Sequence, residues 1–138
     1  EVSSKILGCK TVKSGEKESF DAIHIEFVKA LNPEHEEIIG FIICIEGKRI
    51  YFTSDTKYLL ELENIHADIV LISIGGSTTM NCKTAAELVN KIQPMYSIPC
   101  HFGSIEGTLD DALRFKALVE SSRKTKVFVM RENETMEF

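Results

Sequence analysis

Two residues that could carry chemistry stand where a strand-like run has just ended: Asp55 after Ile50-Tyr51-Phe52-Thr53, and His101 after residues 95–100. Gly75-Gly76 closes a third such run, residues 68–74. In open α/β sheets, ligands bind outside the carboxyl ends of the strands. Three strands lying side by side would bring Asp55 and His101 to one rim, a carboxylate and an imidazole placed as metal ligands or as an acid/base pair. Taken singly, each residue has a plainer role: an Asp in Ser-Asp-Thr forms turns or caps helices, and a lone His at a strand end is commonly scaffold. Cys100 adjoins His101, but neighbours along a strand point to opposite faces, so no Cys–His nucleophile pair is implied and Cys100 reads as core. Gly75-Gly76-Ser77 ahead of a helix could cradle an anion, yet it lacks both the G-x-G-x-x-G and the Walker spacing. His24 and His66 read as surface or helix-end residues.

Positioning these groups takes a sheet, and the hydrophobic pattern supplies one. Residues 5–12 and 21–31 are strand-like, joined through the turn-prone Ser14-Gly15-Glu16. The second alternates, with Ile23, Ile25 and Phe27 on one face and His24 and Glu26 on the other. Residues 38–46 and 49–53, parted by Gly47-Lys48, form a nearly all-apolar hairpin suited to the middle of a sheet. A short helix through Tyr58, Leu59 and Leu62 leads to residues 68–74, a continuous apolar run and so a strand buried on both faces. Ala85, Leu88, Val89 and Ile92 recur at helical spacing behind Asn81 as N-cap, with Pro94 as the stop. After the strand 95–100, Thr108 and Asp111 at capping-box spacing open a helix to about residue 121, and residues 126–131 are the last strand. Hairpin strands followed by alternating strand and helix predict an α/β domain with one mixed sheet.

Length and charge bound the function. A chain of 138 residues suits one domain. Sixteen Lys and Arg against 21 Asp and Glu give a net charge of −5 with no long basic block, which argues against nucleic acid as a partner. No apolar run approaches the roughly eighteen residues of a membrane span, so no membrane partner is expected. The four cysteines form no C-x-x-C pair and no secretory signal is visible, so reduced thiols and a cytoplasmic protein are expected.

The string Gly40-Phe41-Ile42-Ile43, Gly47 through Thr56, Ala67 through Gly76, Thr79-Met80, Ala85-Ala86 and Ile98 through Ser104 resembles the C-terminal half of metallo-β-lactamase-fold hydrolases. The branch it is most similar to is the ascorbate phosphate lactonase-like group. The resemblance implies an αββα sandwich, of which this chain would be the C-terminal half, a mixed sheet with helices on one face. It also implies residue roles. The metal-ligating Asp of the family's Gly-Asp-Thr turn falls on Asp55, with Ser54 in place of the glycine. The ligand His of its Pro-x-His-Tyr-Gly-Thr loop falls on His101, within Pro99-Cys100-His101-Phe102-Gly103-Ser104. Asn32 occupies a place where many relatives have a ligand histidine, and His35 could serve instead. Asn32, Gly75, Gly76 and Ser104 would line the substrate, with Thr56 and Ser104 as candidates to orient the ligands.

The family's main metal motif, His-x-His-x-Asp-His, is absent: His24, His35, His66 and His101 include no such spacing. Together with the missing initiator Met, this leads us to expect an upstream first half. In complete form the resemblance implies a hydrolase in which a divalent metal, zinc or manganese, activates water against a small polar ester, lactone or phosphoester. The alternative is a non-catalytic half domain that binds a partner chain. Three helices can cover only one face of the sheet, so the other face should be covered by the missing N-terminal half or by a homo-oligomer mate.

Overall fold

The computed structural model describes residues 10–131 and 133–137. Two hairpins open it. β1 (Lys17–Phe20) and β2 (Ile23–Lys29) are joined by a tight turn at Asp21, where φ is 51°. β3 (Ile39–Ile45) and β4 (Lys48–Phe52) are joined by Glu46 and Gly47, at φ 50° and 74°. Two successive positive φ angles are what a two-residue type I′ hairpin turn requires, so the turn falls one residue earlier than Gly47-Lys48. The expected strand over 5–12 lies mostly outside the described residues, and 10–12 have no regular structure. The partner of β2 is instead β1, whose Lys-Glu-Ser-Phe sequence suits an exposed edge and carries no alternation that would reveal it.

Parallel strands follow. The short helix after β4 is a 3-10 helix over Leu60–Asn64. Then come β5 (Ile69–Ser73), α1 (Cys82–Ile92), β6 (Tyr96–Cys100), α2 (Leu109–Glu120) and β7 (Lys126–Val127). Both helices open with a capping box, Asn81 with Thr84 and Thr108 with Asp111. The seven strands lie in chain order, antiparallel from β1 to β4 and parallel from β4 to β7. β7 ends earlier than the sequence suggests, and Pro99 gives the reason. Lys126 and Phe128 donate to the carbonyls of Met95 and Ser97, so the next position on that edge of β6 is Pro99, which has no N–H to offer.

Paired residues share a face of the sheet. Ile42, Tyr51, Val70, Ile72 and Val127 are buried in one cluster with Leu88, Val89, Phe115 and Val119 of the helices. The opposite face carries Ile25, Ile43 and Ile50 in one row and Phe27, Phe41, Phe52, Leu71 and Ile98 in the next, all only half buried. Phe41 and Phe52 stack there at 4.9 Å. The helices therefore cover one face only, and no described element covers the other. Among the described residues, no helix is long and apolar enough to cross a membrane.

Candidate functional site

β4 ends at Phe52, and the Thr53 N–H still donates to the Leu71 carbonyl at 3.0 Å. The chain then turns at Ser54, which takes a left-handed φ of 55° and donates its Oγ to the Ile39 carbonyl at 2.7 Å. A non-glycine residue at positive φ is uncommon, and the hydroxyl tie across to β3 holds it there. Asp55 follows. Its carbonyl accepts from Asn32 Nδ2 at 2.9 Å, while Thr56 Oγ1 accepts from the Leu31 N–H at 2.9 Å. Residues 31 and 32 thus clamp the turn that presents the Asp55 carboxylate.

On the other side of β5, β6 ends at Cys100 and His101 takes a left-handed φ of 56°. His101 Nδ1 lies 2.9 Å from Asp55 Oδ1. β5 runs between the strands that carry them, so the three strands lie side by side and the two side chains meet across the carboxyl end of β5. Ser73, the last residue of β5, donates its Oγ to the same Asp55 oxygen at 2.9 Å. Beyond the imidazole, Glu106 Oε2 lies 3.9 Å from Nε2 and is buried without a hydrogen-bond partner among the described residues. Glu106 returns to His101 because the Gly103 N–H donates to the carbonyls of both Glu106 and Gly107, closing a tight loop. Gly75 is packed beneath: a Cβ there would lie 2.8 Å from Glu106 Oε2 and 2.9 Å from His101 Cδ2. Asp55 and His101 keep 35% and 38% of their side chains exposed, so a small molecule can reach both.

The other residues expected at the site are placed as follows. His35 is exposed, on a shallow cavity with Glu34, Glu36, Glu37 and Ile38, and is not gathered with Asp55 and His101. Asn32 is 5% exposed and spends its amide on the Asp55 carbonyl and the Glu34 N–H, so it positions the turn. Gly76, at φ 97°, donates its N–H to Thr79 Oγ1, and Ser104 lines a cavity of about 210 Å³ with His101, Phe102, Ile105 and Glu106. Thr56 is turned into the turn it caps, donating to the Lys57 carbonyl; the groups beside the Asp55 and His101 side chains are Ser73 and Glu106. Cys100 faces Ser73, with sulfur and oxygen 3.8 Å apart, on the side of the sheet away from the helices and not in the core they cover. Burial pushes its thiol up, so it stays protonated. Ser73 had a sequence signal, as the one polar residue within Ile69 through Ile74; Glu106 had only its place between Gly103 and Gly107.

The donor set suits part of a metal shell. A carboxylate and an imidazole, hard and borderline donors, converge on one point, with a buried carboxylate oxygen unsatisfied beyond the ring. Among the described residues, no three or more His, Cys, Asp or Glu side chains are arranged to hold an ion, so a shell of three protein ligands needs a donor from elsewhere.

Residues 8–101 match the beta-lactamase superfamily domain. The chain is 34% identical over 103 residues to a UPF0173 metal-dependent hydrolase of Staphylothermus marinus, a match covering 72% of the chain and 45% of that protein. It therefore spans about half the length of the curated relatives it matches. Among solved structures, the metallo hydrolase Igni18 of Ignicoccus hospitalis superposes with a TM-score of 0.81 at 27% identity, covering 92% of this chain and 60% of that one. A Thermotoga maritima protein, named on inference as a Zn-dependent hydrolase of the metallo-beta-lactamase superfamily, superposes at 0.62 and 21% identity over 76% of this chain and 58% of that one, which shows a shared fold. The superfamily match and the mixed sheet with helices on one face lead to one conclusion: the chain belongs to the metallo-beta-lactamase superfamily and forms about half of its fold.

Proposed function

We propose that this chain is the C-terminal half of a metal-dependent hydrolase acting on a small polar ester, lactone or phosphoester, within the ascorbate phosphate lactonase-like branch. The observation that carries the reading is the 2.9 Å approach of His101 to Asp55 at the carboxyl ends of parallel strands, backed by Ser73. In the complete protein Asp55 and His101 hold a divalent cation, zinc or manganese, and the upstream half supplies the remaining ligands. His35 stays a candidate for one of them. The cation would provide Lewis acidity and a bound water that deprotonates near neutral pH. This chain's own residues orient and enclose: Ser73 fixes the Asp55 carboxylate, Asn32 and Thr56 hold its turn, Gly75 makes room for His101 and Glu106, and Ser104 lines the cavity where substrate would sit, with Gly76 at its approach. Free thiols at Cys44, Cys82 and Cys100 suit a cytoplasmic setting.

The complete protein should bind divalent metal, hydrolyse such esters, and lose both through Asp55→Ala or His101→Ala. Metal binding unchanged in both variants would refute the reading. A second reading is favoured by the half-buried Phe41, Phe52, Leu71 and Ile98: the chain is a non-catalytic half domain that binds a partner chain, or a second copy of itself, across this face. It predicts a complex that forms equally well with and without a chelator.

A further inference from the structure

We infer that Ser73 is a positioning residue for Asp55, committing its hydroxyl hydrogen to Oδ1 so that Oδ2 is the oxygen offered to a cation. The inference rests on the metal-site reading of Asp55 and His101. Residues 69–74 are apolar except Ser73, which is 3% exposed. A buried hydroxyl is costly unless it is hydrogen-bonded, and an apolar side chain would suit the strand as well. Ser73 spends its hydroxyl on Asp55 Oδ1 at 2.9 Å, a bond strengthened by the charge of the acceptor. A hydroxyl has one hydrogen to give. With that hydrogen on Asp55, the 3.8 Å contact with Cys100 leaves the thiol as donor and the serine oxygen as acceptor. His101 Nδ1 gives its proton to the same Oδ1 at 2.9 Å, so both lone pairs of Oδ1 are engaged, while among the described residues no hydrogen bond reaches Oδ2. Of these two donors only Ser73 is not itself a ligand, so its bond holds whichever way the imidazole turns. The backbone keeps it in place: the Ser73 N–H donates at 3.3 Å to Oγ1 of Thr53, two residues before Asp55.

The test uses the complete protein that contains this chain. Affinity for Zn²⁺ is measured by chelator competition, the bound geometry by a crystal structure of the zinc-loaded protein, and stability by the unfolding temperature without metal. Ser73→Ala should weaken zinc binding by about 10- to 100-fold. Ser73→Thr, which keeps the hydroxyl and suits a strand, should stay near the wild type. Zinc should sit on Asp55 Oδ2 with Ser73 Oγ still on Oδ1. Unfolding without metal should be unchanged, because water can replace the lost donor at a carboxylate that is 35% exposed. Wild-type affinity in Ser73→Ala, with affinity lost in Asp55→Ala, would overturn this inference alone. So would zinc on Oδ1, an equal loss in Ser73→Thr, or a loss that tracks a fall in metal-free unfolding temperature. Wild-type affinity in both Asp55→Ala and His101→Ala would overturn the metal-site reading itself, and this inference with it.

Discussion

Replacing Gly75 with alanine perturbs the candidate site at its tightest point. The new Cβ would lie 2.8 Å from Glu106 Oε2, 2.9 Å from His101 Cδ2 and 3.1 Å from the His101 carbonyl oxygen. Carbon–carbon contact is comfortable from about 3.5 Å, so the imidazole must retreat by roughly 0.6 Å or the backbone must give. Glu106 can swing its carboxylate aside at little cost, because it is the far end of a flexible chain. The ring cannot do so while it serves a cation, since a displacement of this size also breaks its 2.9 Å approach to Asp55. Overpacking of this kind costs about 1–3 kcal/mol. At about 1.4 kcal/mol per tenfold, metal affinity should fall by roughly 5- to 150-fold. The metal-free protein, with freedom to move the ring, should lose much less stability. Chelator competition on the complete protein, paired with thermal unfolding of its metal-free form, separates the two effects. Gly75→Ala with wild-type affinity and an unchanged unfolding temperature would show that the ring position does not matter, and would refute the reasoning.

Three further outcomes follow from the same structure. Gly40→Ala should destabilise the fold by about 1–3 kcal/mol, because its Cβ would meet the Phe52 and Thr53 carbonyl oxygens at 2.9 and 3.0 Å, backbone atoms that cannot retreat; denaturant midpoints measure it. The Arg49 guanidinium, bonded to Glu26 at 2.8 and 3.3 Å, holds that carboxyl below its usual range. A depressed folded-state pKa gives stability that is present above the unfolded Glu value of about 4.3 and lost as pH falls through the folded one, so Glu26→Gln should flatten stability measured across that acid window. Residues 1–138 expressed alone should self-associate in sedimentation, and charged substitutions at Phe41 and Phe52 should reduce that association.

The hydrophobic periods were enough to place every parallel strand and both long helices, because buried strands and amphipathic helices announce themselves by burial. Asn81 and Thr108 were readable for a different reason: capping chemistry is local. β1 was not readable, since an exposed edge strand of Lys17, Glu18, Ser19 and Phe20 is selected by pairing and not by a core. The extent of β7 depended on a hydrogen bond that Pro99, on the neighbouring β6, cannot make to it, a fact of sheet order and not of the local sequence. At the site, Asp55 and His101 were legible as polar residues ending apolar runs. The facing direction of Cys100 was not, because strict alternation shows which neighbours oppose each other but not which face the helices will take. Glu106 reaches His101 only through a loop closed on Gly103 and Gly107, which no periodicity encodes.

The site and the uncovered face are parts of one surface. Ser73 stands two residues after Leu71 on β5, and Cys100 two residues after Ile98 on β6, so all four side chains point away from the helices. Ser73 is also the residue that bonds the Asp55 carboxylate, which places the carboxylate–imidazole pair at the rim of the same apolar face that carries Phe41, Phe52, Leu71 and Ile98. Whatever covers that face ends beside Asp55. A segment that buried the apolar rows would therefore arrive with its own side chains at the open side of a two-donor cluster, where a shell of three or more ligands lacks members. Burial of about 25 cal/mol per Å² of apolar surface would drive the docking, and metal coordination would follow from it without a separate association step. On this account folding of the whole domain and assembly of its metal site are coupled. A substitution in the middle of the sheet, such as Phe52→Asp, should then weaken metal binding in the complete protein although it touches no ligand.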